Sequence, residues 1–224
     1  MINTQPVEKC VHDPVGALDV IDVWLTIQGE GPHSGLPAVF VRLAGCNLTC
    51  KLCDTQYTAG RVHRMPATLA EMVSNVLPSG LVVLTGGEPY RQHLLPFVSL
   101  LLDRGHKVQI ETNGTLYEEL PEAVVVVCSP KTATVNPQLA MRADAWKYVV
   151  ASGQVEEDGM PSIALGSMRP ARPYMGTPKH KIYMQPLDEQ DAVRNAANMQ
   201  TAVDLCLKHG WRLCLQVHKI AGLP

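Results

Sequence analysis

The stretch Leu81-Val-Val-Leu-Thr-Gly-Gly-Glu-Pro89 carries the pattern on which the fold turns: four apolar residues run straight into a polar, glycine-marked turn closed by proline. An apolar run without alternation suits a strand buried on both faces, as in a parallel sheet. The same pattern recurs on either side of it. Strand-like runs rich in Val, Ile and Leu lie near 18–26, 37–43, 81–85, 107–112, 124–128, 145–150, 181–185 and 212–216. Five of them end alike, in Thr85-Gly-Gly-Glu-Pro, Glu111-Thr-Asn-Gly-Thr, Ser129-Pro-Lys, Gln185-Pro-Leu-Asp and Gln216-Val-His-Lys. Any one of these is an ordinary turn. Because parallel α/β folds bind ligands at the carboxyl ends of their strands, the five together predict one shared site.

Helical stretches separate the strands. Residues 68–77 place Leu69, Met72, Val73, Val76 and Leu77 on one face, with Thr68 and Glu71 spaced as a capping box. A second helix is expected over 92–104, with Leu95, Val98, Leu101 and Leu102 in period and Gly105 as its stop. A third is expected over 189–208, ending before Gly210. Strands alternating with helices imply crossover connections and a parallel sheet. Residues 152–180, rich in Pro, Gly and Met, show no period and read as a long loop or insertion.

The chain of 224 residues can bury roughly 70% of its unfolded surface, so a single domain spanning 1–224 is expected. Its net charge of −2 offers no electrostatic footprint for a nucleic-acid or membrane-surface partner. No apolar run approaches the roughly 18 residues of a membrane span. Residues 1–17, an N-terminal extension, lack the apolar core of a signal peptide, which points to the cytoplasm.

Seven cysteines are present; Cys46, Cys50 and Cys53 fall within Ala44-Gly-Cys-Asn-Leu-Thr-Cys-Lys-Leu-Cys-Asp-Thr55. The other four, Cys10, Cys128, Cys206 and Cys214, are scattered beside apolar residues and read as small buried side chains. Three thiolates on one short loop suit three irons of a [4Fe–4S] cluster, leaving the fourth iron open. A zinc site completed by His33 or His63 is the competing reading, although structural zinc usually shows paired cysteines with a longer spacer.

The spacing C-x3-C-x2-C after a strand resembles the radical S-adenosylmethionine superfamily, and Thr85-Gly-Gly-Glu-Pro resembles that superfamily's Gly-Gly-Glu motif. Several further features resemble one family within it, the 7-carboxy-7-deazaguanine synthases of queuosine biosynthesis. They are Thr26-Ile-Gln-Gly-Glu-Gly, Pro37-Ala-Val-Phe-Val-Arg-Leu-Ala-Gly-Cys, Cys53-Asp-Thr, Gln109-Ile-Glu-Thr-Asn-Gly-Thr, Val127-Cys-Ser-Pro-Lys, Met184-Gln-Pro-Leu-Asp and the tail from Trp211 to Pro224.

The resemblance implies a lyase with an incomplete parallel β/α barrel of the radical S-adenosylmethionine type, since 224 residues fall short of the roughly 250 of a full barrel. It implies conversion of 6-carboxy-5,6,7,8-tetrahydropterin to 7-carboxy-7-deazaguanine with loss of ammonia, S-adenosylmethionine being re-formed each turnover. The rival within the superfamily is an activase that installs a glycyl radical on a partner protein. By the same resemblance Cys46, Cys50 and Cys53 hold the cluster, Thr55 binds Mg²⁺, and Ile27, Gln28, Gly29, Arg42, Thr112 and Pro224 contact the pterin, with Glu30 a weaker candidate. S-adenosylmethionine would be held by Leu52, Cys53, Asp54, Gly86, Gly87, Glu88, Gly114, Ser129, Pro130, Lys131, Gln185, Pro186, Leu187 and Asp188. Leu52 stands where many superfamily members place an aromatic residue against the adenine. Pro224, as the last residue, would offer its α-carboxylate to the pterin, while His218 and Lys219 would orient the tail. The implied partners are an electron donor such as flavodoxin and a second copy of the chain in a homodimer.

Overall fold

Alternation along each strand sorts the side chains onto two faces, and the contrast between those faces determines where chemistry can occur. The computed structural model describes residues 3–223. Its strands are β1 (Leu18–Ile27), β2 (Pro37–Leu43), β3 (Val62–Arg64), β4 (Leu81–Gly86), β5 (Lys107–Thr112), β6 (Val125–Cys128), β7 (Ala145–Val150), β8 (Ile182–Pro186) and β9 (Arg212–Leu213). They form one sheet in the order β3-β1-β2-β4-β5-β6-β7-β8-β9, parallel from β2 through β9. The two edges belong to β3 and β9, so the described sheet is an open, partial barrel, as expected.

The outer face is apolar along most of its length. Val39, Val41 and Leu43 of β2, Val82 and Leu84 of β4, Val108 and Ile110 of β5, and Trp146, Tyr148 and Val150 of β7 share one core cluster. Helices α1 (Pro66–Val76), α2 (Leu95–Asp103), α3 (Pro137–Arg142) and α4 (Ala192–His209) contribute to it through Leu69, Val73, Phe97, Leu101, Leu139 and Leu205. Burying each such Val or Leu contributes about 1.5–3 kcal/mol. A slip by one residue would turn this whole set inward, so register is strongly specified. The inner face is divided along its length. Ala38, Leu81 and Val83 close its base, while Arg42, Gln109, Glu111, Lys147 and Gln185 stand nearer the carboxyl ends.

Several expectations need correction. The sheet is not wholly parallel: β1 runs antiparallel to both β2 and β3. Strand β3 was not anticipated, because its three residues mix one apolar side chain with two charged or polar ones. The capping box at Thr68 and Glu71 does not form. With Pro66 at the first turn, α1 starts two residues earlier on Met65, which puts Thr68 inside the helix. Helix α4 begins at Ala192, where Asp191 accepts hydrogen bonds from the backbone N–H groups of Val193 and Arg194 at 3.0 and 2.9 Å. Gly210, at φ 74°, ends it as anticipated. The strand expected over 212–216 shrinks to Arg212–Leu213, and its continuation becomes the short helix α5 (Val217–Ile220). Cys10 is exposed rather than buried, while Cys128 and Cys214 are buried.

Residues 152–178 form a long irregular loop, tied internally by Arg172 to Glu156 and Asp158 at 2.5 and 2.7 Å. The loop reaches back to the cysteine segment, where Leu52 N–H donates to the Leu165 carbonyl at 3.1 Å.

Candidate active site

The five polar strand ends do converge. A cavity of about 530 Å³ opens at the carboxyl edge of the sheet and is lined from Thr85–Gly87, Glu111–Asn113, Ser129 and Lys131, Gln185–Asp188, and Gln216, His218 and Lys219. Cys46, Cys50, Cys53, Asp54 and Thr55 line it from the cysteine loop; Ile27 lines it from the end of β1, and Gln28 and Glu30 from the turn that follows.

The cysteine loop has no strand or helix of its own between Ala44 and Arg61, so its shape is set by contacts. Gly45 takes φ +79°, and a Cβ there would meet the Arg91 guanidinium at 2.5 Å. Gly87 sits flat against the loop: a Cβ on it would lie 2.0 Å from the Gly45 carbonyl oxygen. Glu88 N–H donates to that same carbonyl at 3.0 Å. The Gly-Gly-Glu turn is thus pressed onto the first cysteine.

Burial pushes the Cys46 thiol up to about 12, with Glu88, Cys50 and Cys53 adding repulsion, and burial raises Cys53 as well. Positive charge bound there would reverse that preference, because bound metal takes thiols as thiolates. Among the described residues, no three His, Cys, Asp or Glu side chains are gathered as ligands of a single ion. A cubane gives each cysteine its own iron, so three separate thiols lining one cavity fit it better than they fit a zinc centre.

Glu88 does not line the cavity. It is fully buried beneath, accepting from Tyr90 N–H at 3.1 Å, the Thr112 hydroxyl at 2.8 Å and Asn113 N–H at 2.7 Å. Burial lifts its carboxyl to about 7 against those three donors. It ties the end of β4 to the end of β5. Thr112 lines the cavity, but its hydroxyl is engaged by Glu88 and by Gly114 N–H at 3.1 Å. Gly29, Gly114 and Pro130 also fall outside the lining. Gly29 makes room for His218, whose Nδ1 would lie 1.9 Å from a Cβ there. Lys131 donates to the Ser129 carbonyl and hydroxyl at 2.8 and 2.5 Å, and burial lowers its ammonium. Leu52 lines the cavity beside Leu165, so an apolar contact stands where an aromatic one would be usual. Pro224 lies outside the described residues; Leu223 is the last described lining residue.

The cavity also holds Lys147, which the strand-end pattern did not flag, in contact with residues that it or the family resemblance did. Lys147 of β7 is held between Glu30 and Glu111 at 2.5 and 2.7 Å. Burial raises the Glu30 carboxyl, but Lys147, with Gln216 and His218, outweighs it and the net direction is down. Burial pushes Glu111 up, and Lys147 offsets this only in part. Burial disfavours the Lys147 ammonium, yet Glu111 and Glu30 outweigh it and raise its pKa. Gln216 donates to Glu30 at 2.9 Å and Gln109 to Glu111 at 2.8 Å. Arg42 lies over the Trp24 ring at 4.8 Å, and its buried Nε has no protein partner. The missed residue was legible: Lys147 falls on a strand face otherwise apolar, where a charge is rare unless paired.

Comparison with known proteins agrees with this geometry. The 7-carboxy-7-deazaguanine synthase of Rhodospirillum rubrum is 43% identical over 217 residues, covering 91% of this chain and 92% of that protein. The chain belongs to the 7-carboxy-7-deazaguanine synthase family. The Rickettsia prowazekii and Bacteroides thetaiotaomicron synthases are each 36% identical, over 92% and 90% of this chain and 88% and 96% of their own lengths. No protein-family model matches the chain. The crystal structure of QueE from Escherichia coli superposes with a TM-score of 0.68 at 24% identity, over 89% of this chain and 93% of that one, which supports the fold. Membership of this synthase family brings with it the radical S-adenosylmethionine chemistry and its [4Fe–4S] cluster. The described chain has no helix long and apolar enough to cross a membrane.

Proposed function

We propose that this chain converts 6-carboxy-5,6,7,8-tetrahydropterin to 7-carboxy-7-deazaguanine, with S-adenosylmethionine as a regenerated cofactor and Mg²⁺ as an aid. The observation that carries it is the shared cavity: three cysteines and a charged, hydrogen-bonding set line it together, in a family of named synthases. When bound, the cluster would supply the electron that cleaves the sulfonium and yields the hydrogen-abstracting 5′-deoxyadenosyl radical.

The chain's own residues divide the remaining work. Cys46, Cys50 and Cys53 hold the cluster. Backbone at Gly86 and Gly87, Ser129 with Lys131, and Gln185 to Asp188 hold S-adenosylmethionine along the strand ends, beside Leu52 and Asp54. The single domain, its extension at 1–17 and its loop at 152–180 serve this one site. Thr55, whose hydroxyl donates to Asp54 at 3.3 Å, is the ligand for Mg²⁺, which accepts neutral oxygen donors alongside water and substrate. Arg42, carried on Trp24, meets the pterin carboxylate. Gln28 and the Glu30–Lys147–Glu111 set face the ring edge, where carboxylates accept from ring N–H groups. Ile27 and Thr112 complete the contact, and the Pro224 carboxylate closes it. A flavodoxin-like donor, a homodimer and a cytoplasmic setting belong to the same proposal.

The test is direct. Arg42→Ala should weaken binding of the carboxypterin to the loaded protein by roughly tenfold or more, the size of one charge-assisted hydrogen bond. The pterin lacking its carboxyl should bind both forms equally. Equal loss for both ligands would remove Arg42 from the carboxylate.

A further inference from the structure

The chain before β1 does not trail away from the molecule. Asn3–Val11 lies extended across the cysteine loop, with Asn3, Gln5 and Glu8 half-buried while Thr4, Pro6 and Val7 stay exposed. Four carbonyls of the loop accept hydrogen bonds from it. Asn3 N–H reaches the Lys51 carbonyl at 2.9 Å and Asn3 Nδ2 that of Cys50 at 3.2 Å. Gln5 Nε2 reaches the Thr55 carbonyl at 2.8 Å, and Glu8 N–H reaches that of Cys46 at 2.7 Å. Gln5 Oε1 also accepts from Tyr57 N–H at 2.7 Å and from the Thr58 hydroxyl at 3.2 Å. The segment is itself anchored. Buried Arg91 donates to the Lys9 carbonyl at 2.6 Å, Val11 N–H donates to the Arg91 carbonyl at 2.8 Å, and Glu8 pairs with Arg61 at 2.5 Å.

A loop without strand or helix has backbone carbonyls that no ladder satisfies. A loop that must hold three thiols to one inorganic core also needs a fixed backbone before the core arrives. The extension answers both needs at once. Two of the four carbonyls belong to cysteines and a third to Thr55.

We propose that Asn3–Val11 is a strap that preorganises the cysteine loop and covers its outer side, with Asn3 and Gln5 as its positioning residues. It would slow both loss of the cluster and its attack by oxygen. The inference rests on the cluster reading above. It assigns a task to a segment that neither the motifs nor the cavity involve, since no residue of the strap lines the cavity.

Gln5→Ala removes one donor to Thr55 and the acceptor shared by Tyr57 and Thr58. At about fivefold per net hydrogen bond, the ordered population of the loop should fall by roughly tenfold or more. Gln5→Glu keeps the acceptor but turns a carboxylate oxygen toward the Thr55 carbonyl and Asn3 Oδ1, which Gln5 Nε2 meets at 2.8 and 3.1 Å. It should loosen the loop at least as much as Gln5→Ala. Val7→Ala, at an exposed position, is the control.

Two readouts decide the matter. In the apo-protein, hydrogen exchange of amides within residues 46–58 should quicken about tenfold in Gln5→Ala while exchange in α4 is unchanged. After anaerobic loading with iron and sulfide, the visible absorbance of the cluster should bleach in air about tenfold faster in Gln5→Ala than in wild type or Val7→Ala. Wild-type rates in Gln5→Ala by both readouts overturn the strap. A wild-type protein that takes up no iron overturns the cluster reading instead, and the apo-protein exchange then decides the strap alone.

Discussion

Replacing Lys147 by Met keeps the length of the side chain and removes the one cation between Glu30 and Glu111. The two carboxylates are only 16% and 14% exposed, so neither can recover its solvation by turning to water. Breaking a buried pair in this way costs about 3–5 kcal/mol, because an uncompensated charge remains. The sign of the pH dependence follows from the same groups. In the wild type, the raised Lys147 stays charged in folded and unfolded chains alike well past neutrality, so its contribution is lost only in strong alkali. In Lys147→Met both carboxyls rise above their unfolded value of about 4.3, and each unit of rise costs about 1.36 kcal/mol once the pH exceeds the folded pKa. At pH 8 the full deficit should appear. At pH 5 the unfolded carboxyls are less than one unit past their own pKa, leaving about 1 kcal/mol per group and recovering roughly half of the deficit. Guanidinium unfolding of the apo-proteins at both pH values, compared with wild type at each, measures it. An equal deficit at the two pH values, or one below about 1 kcal/mol at pH 8, would refute the reasoning.

Other consequences follow from close contacts. Gly87→Ala should force the Gly45 carbonyl away, and anaerobic loading should then yield well under the wild-type iron content while the far-ultraviolet spectrum is retained. Glu88→Gln should cost about 2 kcal/mol at neutral pH by turning an acceptor of two backbone N–H groups into a partial donor. Because the raised Glu88 carboxyl contributes stability below its unfolded pKa that is lost as the pH climbs toward about 7, this variant should also flatten stability over that window, as chemical unfolding between pH 4.5 and 7.5 would record.

How far the sequence could be read depended on whether a residue's job is local. The strands β2, β5 and β7 were legible to the residue because apolar runs bounded by Gly, Pro and polar turns are local signals. The strand ends named the cavity walls for the same reason. What stayed hidden is set by distant partners. Glu88 sits within a motif that suggests ligand contact, yet its carboxylate is used to join two strand ends 24 and 25 residues apart in sequence. Gly29, read as part of a substrate turn, also gives clearance to His218, a residue near the other end of the chain. Lys147 was passed over because its partners are contributed by β5 and by the turn after β1. The extension had no motif at all; its meaning lies in carbonyl groups some fifty residues away.

The central claim is that the cysteine loop and the charged residues lining the same cavity serve one reaction. Anaerobic incubation of the loaded protein with S-adenosylmethionine, a low-potential reductant, Mg²⁺ and 6-carboxy-5,6,7,8-tetrahydropterin, followed by mass spectrometry, tests it in a single measurement. The account predicts 7-carboxy-7-deazaguanine from the wild type over many turnovers per S-adenosylmethionine, and none from Cys50→Ala. A wild-type protein carrying its full cluster that leaves the pterin unchanged, or a Cys50→Ala variant that still makes the product, would contradict it.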